Sequence, residues 1–205
     1  MARSLARLAI VAAGIALLAG LGCGSRGPAM VPQPGIDPQA ASKAMQEFDA
    51  NKDGYLDAKE LEKAPGLKAA MSKIDINGNG KISADDINAR IKVWKDSKVA
   101  RMTIICRVTH NGRPLEGATV VFEPEKFLGD QLKPATGNSD ASGMAFPAAL
   151  YEGSDAKGIA PGFYRVKITK SGENIPAKYN TETILGQEAA PDAANFRGIK
   201  FDLEY

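Results

Sequence analysis

The sequence predicts a multidomain α+β protein in which an all-α region is followed by an all-β region. Between residues 39 and 96, apolar residues recur at helical spacing, as at Ile87, Ile91 and Trp94. From Met102 onward, apolar residues alternate with polar ones, and Gly, Pro, Asn and Ser crowd the gaps between the alternating segments. The 205 residues, 44% of them hydrophobic, are enough to build two small cores.

The first 22 residues have the pattern of a secretion signal. Arg3 and Arg7 precede an apolar run over residues 8–21, which is shorter than the roughly twenty residues that a membrane-spanning helix needs. Residues 19–23 resemble the processing site of bacterial lipoproteins, which implies that Cys23 carries the lipid anchor. The alternative is an ordinary cleavage site beside a free cysteine, and the protein would then be secreted.

Residues 23–38 are predicted to form a tether between the membrane and the helical region. Prolines at positions 28, 32, 34 and 38, together with the lack of an apolar period, favour an extended chain. Because residues 1–22 contain two of the 26 basic residues and no acidic ones, the remaining chain has 24 basic and 24 acidic residues. It has no basic stripe, and we therefore expect no binding to nucleic acid.

The helical region contains two twelve-residue loops in which oxygen-bearing residues recur at every second position. The ligands expected at positions 1, 3, 5, 7, 9 and 12 of the first loop are Asp49, Asn51, Asp53, the carbonyl of Tyr55, Asp57 and Glu60. Gly54 provides the sharp turn at position 6. Since Ca²⁺ prefers about six to eight oxygen ligands, this spacing predicts a calcium site.

The second loop has the same spacing but fewer charges. Its expected ligands are Asp75, Asn77, Asn79, the carbonyl of Lys81, Ser83 and Asp86. It has two carboxylates where the first loop has four, and the aspartate at position 12 is one methylene shorter than a glutamate. The second loop is therefore predicted to be the weaker site, with a geometry that also suits Mg²⁺.

A single Asp-rich turn with a glycine is common on protein surfaces without any metal. Here two such loops follow one another, and Leu56 and Ile82 at position 8 of each predict a short antiparallel ribbon between them. Residues 39–96 thus resemble the compact EF-hand pairs of bacteria, and the resemblance implies the ligand roles given above. Pro65-Gly66 is expected to end the helix that leaves the first loop after barely two turns. This short connection argues against a large opening driven by calcium.

Residues 97–205 are predicted to form an all-β domain. The alternation over residues 102–109, the Asn111-Gly112 turn and the return through residues 118–122 predict a hairpin, and further strands are expected at 164–169 and 199–205. Residues 111–122, 138–146 and 161–166 resemble the carboxypeptidase regulatory-like domain, which implies a Greek-key, transthyretin-like sandwich. That domain is the accessory part of those enzymes and not their zinc catalytic part.

Four other features of the sequence are candidates for a function. His110 is the one histidine of the chain, so a His-based zinc site is excluded and an exposed turn residue is favoured over a triad base. Cys106 is expected to be a buried small hydrophobe rather than a reactive thiol. Trp94 is expected to join the two domains rather than to stack on a ligand. Residues 140–143 are interpreted as a turn rather than as a further metal site.

Together these patterns predict a non-enzymatic, calcium-binding protein that is exported to the cell envelope and anchored in the membrane through lipid. The β-sandwich is expected to bind an envelope protein or a glycan. The alternative is a calcium-regulated accessory or inhibitory subunit of a secreted hydrolase. An enzyme in its own right is disfavoured, because no set of base, nucleophile and oxyanion donor can be identified.

Overall fold

The computed structural model describes residues 31–151, 154–193 and 198–205, and for residues 154–156 it describes the backbone only. The predicted signal segment 1–22, the lipidation site Cys23 and the tether residues 23–30 lie outside the described part. Among the residues described, none of the helices combines the length and the apolar character needed to cross a membrane.

Short helices and a two-stranded ribbon make up the N-terminal part of the fold. The helices are α1 (Ala40–Phe48), α2 (Pro65–Ala69), α3 (Met71–Ile74) and α4 (Ala84–Ser97), with one 3₁₀ turn at Glu60–Lys63. Strands β1 (Tyr55–Leu56) and β2 (Ile82–Ser83) pair antiparallel, with Leu56 opposite Ile82. Both of these side chains are completely buried, so the predicted ribbon between the loops is present and is packed into the core.

Local signals in the sequence explain where α4 begins and ends. Ser83 Oγ accepts the Asp86 N–H and the Asp86 carboxylate accepts the Ser83 N–H, which forms a capping box at the start of the helix. Lys98 adopts a left-handed conformation directly after the last turn and ends the helix there.

The segment that leaves the first loop differs from the prediction. It is a single 3₁₀ turn rather than a helix of barely two turns, and Pro65 begins α2 instead of ending the helix before it. A proline suits the first position of a helix because its missing N–H is not needed there. It also disfavours helical geometry at the preceding residue, and Ala64 accordingly has φ −122° and ψ 66°.

The remainder of the described chain is mostly β structure. The strands are β3 (Cys106–His110), β4 (Arg113–Pro114), β5 (Ala118–Pro124), β6 (Ala135–Asn138), β7 (Met144–Ala145), β8 (Ala149–Tyr151), β9 (Ser154–Gly158), β10 (Gly162–Lys170), β11 (Gly186–Ala189) and β12 (Ile199–Leu203). One sheet has the strand order β11-β10-β5-β6 and the other has the order β12-β3-β4, with β7 also paired to β3. Strand β12 runs parallel to β3, whereas the other pairs are antiparallel.

The predicted hairpin between the first two strands of this region is wrong. The turn itself forms, with positive φ at both Asn111 and Gly112, but the strand that returns beside β3 is the two-residue β4. The chain then turns again at Gly117, and β5 enters the other sheet between β10 and β6. β3 and β5 therefore lie in different sheets. Each buries one face, and the two strands cover the core from opposite sides instead of pairing.

The two sheets face each other across a shared core. The ring of Phe122 on β5 lies 6.2 Å from the ring of Phe201 on β12, centre to centre. Alternate residues of β10, including Tyr164, Val166 and Ile168, are completely buried on the same side. The α+β class predicted from the sequence is therefore confirmed.

The helical part packs against the outer face of the first sheet. Trp94 on α4 is buried, and its ring centre lies 4.5 Å from that of Phe163 on β10. Its Nε1 donates to Glu188 Oε1 on β11 at 2.9 Å, and Glu188 also pairs with the buried Arg90. Trp94 thus joins the two regions, and the buried residues of 31–205 form one continuous core.

The described end of the predicted tether, residues 31–38, lies against this body. Gln33 Nε2 donates to the carbonyls of Trp94 and Val99 at 3.1 and 2.9 Å. The Asp37 N–H donates to the Leu128 carbonyl at 3.0 Å. Residues 31–38 form no helix or strand, and these hydrogen bonds make them part of the folded unit rather than the predicted spacer.

Candidate metal centre

The two predicted loops have the same backbone course. Asp49 follows α1 with φ −74° and ψ 86°, and Asp75 follows α3 with φ −76° and ψ 77°. Loop positions 4 and 6 have positive φ in both cases. These residues are Lys52 and Gly54 in the first loop and Gly78 and Gly80 in the second. The curl that turns alternate side chains inward is therefore present twice.

Loop amides hold the first three predicted ligands of the first loop. Asp49 Oδ2 accepts the Gly54 N–H at 3.0 Å, Asn51 Oδ1 accepts the Asp53 N–H at 2.8 Å, and Asp53 Oδ1 accepts the Tyr55 N–H at 2.9 Å. Each bond fixes one side-chain oxygen. The other oxygen of Asp49, Oδ1, is buried and has no hydrogen-bond partner among the residues that the structure describes. A buried carboxylate oxygen without a partner is costly, and a cation would satisfy it.

Glu60 closes the first loop from the opposite side. Its carboxylate is buried, and Oε1 accepts the Ala50 N–H at 2.8 Å while Oε2 accepts the Asp57 N–H at 3.0 Å. Asp57 Oδ1 in turn accepts the Glu60 N–H at 3.0 Å. Position 12 therefore reaches across the loop to position 2 with one oxygen and contacts position 9 with the other.

The last residue of the second loop behaves differently. Asp86 Oδ2 accepts from the N–H and the Oγ of Ser83, at 2.9 and 2.6 Å, so its carboxylate caps its own helix. At the beginning of the loop, Asp75 Oδ1 accepts the Asn79 N–H at 3.1 Å and Oδ2 accepts the Gly80 N–H at 2.8 Å. Both oxygens of position 1 are thus engaged, in contrast to Asp49. Asn77 Oδ1 and Asn79 Oδ1 also accept loop amides.

One positive charge lies beside the first loop. The Nζ of Lys81, from the second loop, is 3.2 Å from Asp53 Oδ2. The hydrogen bond from the Tyr55 N–H and the ammonium of Lys81 both hold the pKa of Asp53 below its ordinary value. Asp53 therefore stays ionised at neutral pH.

The donor set of the first loop fits a hard cation. Across residues 31–205, as far as they are described, no three His, Cys, Asp or Glu side chains are gathered into a metal cluster, and the loop carboxylates rest on loop amides instead. All of the donors are oxygens, with amide and carbonyl oxygens completing the carboxylates. With the unpartnered Asp49 Oδ1, this chemistry suits Ca²⁺ and not a metal that needs sulfur or imidazole.

The other candidates from the sequence lie apart from these loops. The ring of His110 stacks on Tyr205 with centres 4.1 Å apart, and its Nε2 lies 2.9 Å from the Tyr205 carbonyl oxygen. Cys106 is buried in β3, and burial raises the pKa of its thiol to about 12. Asp140 Oδ1 accepts the N–H groups of Ser142 and Met144, which makes residues 140–143 a turn.

Two features were missed in the sequence. The loop pattern predicts no role for the side chain of Lys81, because only the Lys81 carbonyl matches a ligand position. The carboxyl of Glu125 is completely buried and accepts the Gly66 N–H at 3.0 Å. No local signal marks this glutamate as interior, since charged residues flank it on both sides in the stretch 123–126.

Comparison with known proteins agrees with the loop geometry. The family model described as EF hand matches residues 42–64 and 67–91, and each match contains one complete loop. No curated protein matches the chain. The helical region is thus an EF-hand region followed by mostly β sheets, and the match implies calcium binding.

Proposed function

We propose that the protein is an exported, lipid-anchored calcium-binding protein whose β-rich region is a non-catalytic interaction module at the cell envelope. The calcium part rests on the EF-hand match together with the first loop. The observation that carries it is the buried Oδ1 of Asp49, which has no hydrogen-bond partner among the described residues and lies in a loop that Glu60 closes from its other end.

The residues that would hold the ion in the first loop are the six predicted ones. Asp49, Asn51, Asp53, Glu60 and the Tyr55 carbonyl supply direct oxygens, and Asp57 at position 9 commonly acts through water. Bound calcium would supply positive charge that ties the end of α1 to the 3₁₀ turn. Its role is structural, because both of these elements are already packed into the core.

The second loop is the weaker site in this proposal. Its Asp86 is committed to the capping box of α4, and both oxygens of Asp75 accept loop amides. With fewer available carboxylate oxygens, it binds Ca²⁺ less tightly and accepts Mg²⁺ as an alternative.

A calcium titration of Glu60→Gln tests the metal function. At 1 mM calcium, a site with a dissociation constant of about 10 μM adds about 2.7 kcal/mol to the free energy of unfolding. We expect calcium to raise the melting temperature of the wild type by about 5–10 °C. Glu60→Gln is expected to lose most of this shift, because the amide removes the charge and one ligand oxygen at position 12.

Glu62→Gln is the matched control for this experiment. Glu62 lies in the same 3₁₀ turn as Glu60, but its side chain is exposed. The control should keep the full calcium shift, followed both by melting and by the emission of Trp94. A wild type whose melting temperature does not respond to millimolar calcium would contradict the proposal.

The interaction role of the β-rich region is supported by its architecture. Two sheets face each other over one core, as in a sandwich, and the sequence motifs resemble the carboxypeptidase regulatory-like domain. We propose that it is a Greek-key, transthyretin-like sandwich that binds an envelope protein or a glycan. Stable co-purification with a secreted hydrolase would favour an accessory or inhibitory subunit instead.

The non-catalytic assignment is supported by the surroundings of His110. Its imidazole contacts Tyr205, and its Nδ1 lies 3.7 Å from Glu173 Oε1. An aromatic and a carboxylate neighbour do not make a nucleophile and an oxyanion hole. Hydrolytic activity that is lost in His110→Ala would overturn this assignment.

Export and anchoring rest on the sequence of residues 1–23. The lipid is proposed to be attached at Cys23. Cys23→Ala should release the protein from the membrane fraction, and mass spectrometry of the wild-type N-terminal peptide should show the added acyl chains. An unmodified Cys23 would make the protein secreted rather than anchored.

A further inference from the structure

The side chain of Lys81 extends from the second loop to the first. Lys81 occupies position 7 of its own loop, where the EF-hand pattern uses only the carbonyl. Its Nζ lies 3.2 Å from Asp53 Oδ2 and 5.5 Å from the centre of the Tyr55 ring. The pairing of β1 with β2 places the two loops side by side and keeps this ammonium next to the first loop.

The two oxygens of Asp53 are engaged by different partners. Oδ1 accepts the Tyr55 N–H at 2.9 Å, a bond that belongs to the fold of the loop itself. Oδ2 is held by Lys81. The oxygen that the loop leaves available to a metal at position 5 is therefore the one that an ammonium already occupies.

We propose that Lys81 sets the affinity of the first loop by competing with the metal ion for Asp53. The inference rests on the proposed calcium function and adds a control on that site. A cation entering the loop meets a like charge within a few ångströms and has to displace the ammonium or share Asp53 with it. Because both side chains are partly exposed, the effect is moderate and depends on salt.

Lys81→Gln is the direct test in the purified protein. The substitution keeps the carbonyl at position 7 of the second loop and removes the charge. We expect the calcium dissociation constant of the first loop to fall about three- to tenfold. Terbium luminescence sensitised by Tyr55, which occupies position 7 of the first loop, and its loss on addition of calcium report on binding at this loop.

Two variants serve as controls. Lys81→Arg keeps the positive charge and should bind calcium as the wild type does. Lys52→Gln makes the same change in net charge at the exposed position 4 of the first loop, and should tighten binding much less. The ratio of the calcium dissociation constants of the wild type and Lys81→Gln should shrink as the salt concentration rises from about 0.05 M to about 0.5 M.

A measurement without metal tests the ion pair separately. In calcium-free protein, the changes in melting temperature of Lys81→Gln and Asp53→Asn should be non-additive, because both remove the same pair. If Lys81→Gln binds calcium no more tightly than the wild type, the proposed role of Lys81 is wrong, although the calcium function stands. The same holds if Lys52→Gln gains as much calcium affinity as Lys81→Gln. If no variant binds calcium, the calcium function fails and this role fails with it.

Discussion

Glu125 is a buried acid at the contact between the helical part and the first sheet. Its Oε1 accepts the N–H of Gly66, the second residue of α2. Burial raises the pKa of this carboxyl to about 7, and the Gly66 amide and the charge of Arg165 offset part of the effect. The group therefore binds its proton more tightly in the folded protein than in the unfolded chain.

This shift makes stability depend on pH in a defined direction. An acid with a raised folded-state pKa lowers the free energy of unfolding as pH rises from the ordinary value of 4.5 to about 7, and the loss is complete above that. Glu125→Gln should remove the loss, because the amide oxygen still accepts the Gly66 N–H. We expect a gain of up to about 3 kcal/mol at pH 8 and much less at pH 4.5, measured by chemical denaturation.

Glu116→Gln is the control for this substitution, since Glu116 is exposed at the surface. It should unfold with the same dependence on pH as the wild type. If the free energy of unfolding of Glu125→Gln also depends on pH as that of the wild type does, Glu125 is ionised in the folded protein and its pKa is not raised.

Individual residues were predictable where their role follows from spacing. The oxygens at alternate loop positions are such a case, because the curl of the loop is itself fixed by local glycines such as Gly54 and Gly80. Glu125 could not be found in this way. Its burial depends on α2 packing over it, and the contact between Gly66 and Glu125 joins residues 59 positions apart in the chain.

The contact between α2 and β11 depends on a glycine. A Cβ built on Gly186 would lie 1.8 Å from the carbonyl oxygen of Pro65, so the two backbones approach too closely for any side chain. Gly186→Ala should therefore push α2 away from the sheet and cost about 1–3 kcal/mol of stability. Chemical denaturation followed by Trp94 emission measures the loss.

Gly198→Ala provides the comparison for Gly186→Ala. A Cβ at Gly198 would meet no atom within 4 Å in the described part of the chain, and the φ of this residue is not in the left-handed region. The free energy of unfolding of Gly198→Ala should stay within about 0.5 kcal/mol of that of the wild type. Equal stability of the two variants would mean that α2 does not lie as close to β11 as described.

Strand pairing was the part of the element structure that the sequence did not determine. Alternation showed which residues of β3 and β5 face the core, and those residues are buried. It did not show which strand lies beside which, because a hairpin and a crossing between sheets bury the same side chains. The two-residue β4 and the turn at Gly117 decide between them.

The protein as a whole is expected to respond to calcium as one unit. Trp94, Phe163 and Glu188 connect α4 to the first sheet, so stabilising the first loop stabilises the sheet as well. At a hundredfold excess over the dissociation constant, amide exchange that requires global unfolding should slow about a hundredfold. Hydrogen exchange should show this slowing in β10 and β11 as well as in α1 and α4. Protection confined to residues 40–97 would mean that the two regions unfold separately.

The parallel pairing of β12 with β3 has a consequence for the order of events in the cell. Cys106 lies beside Ile199, more than ninety residues later in the chain, so the second sheet cannot be completed until β12 has been synthesised. Contacts between such distant segments form late and slowly. A newly made chain therefore stays without its finished core during translation. Such a delay is compatible with the proposed export, because an exported chain has to remain unfolded until it has crossed the membrane.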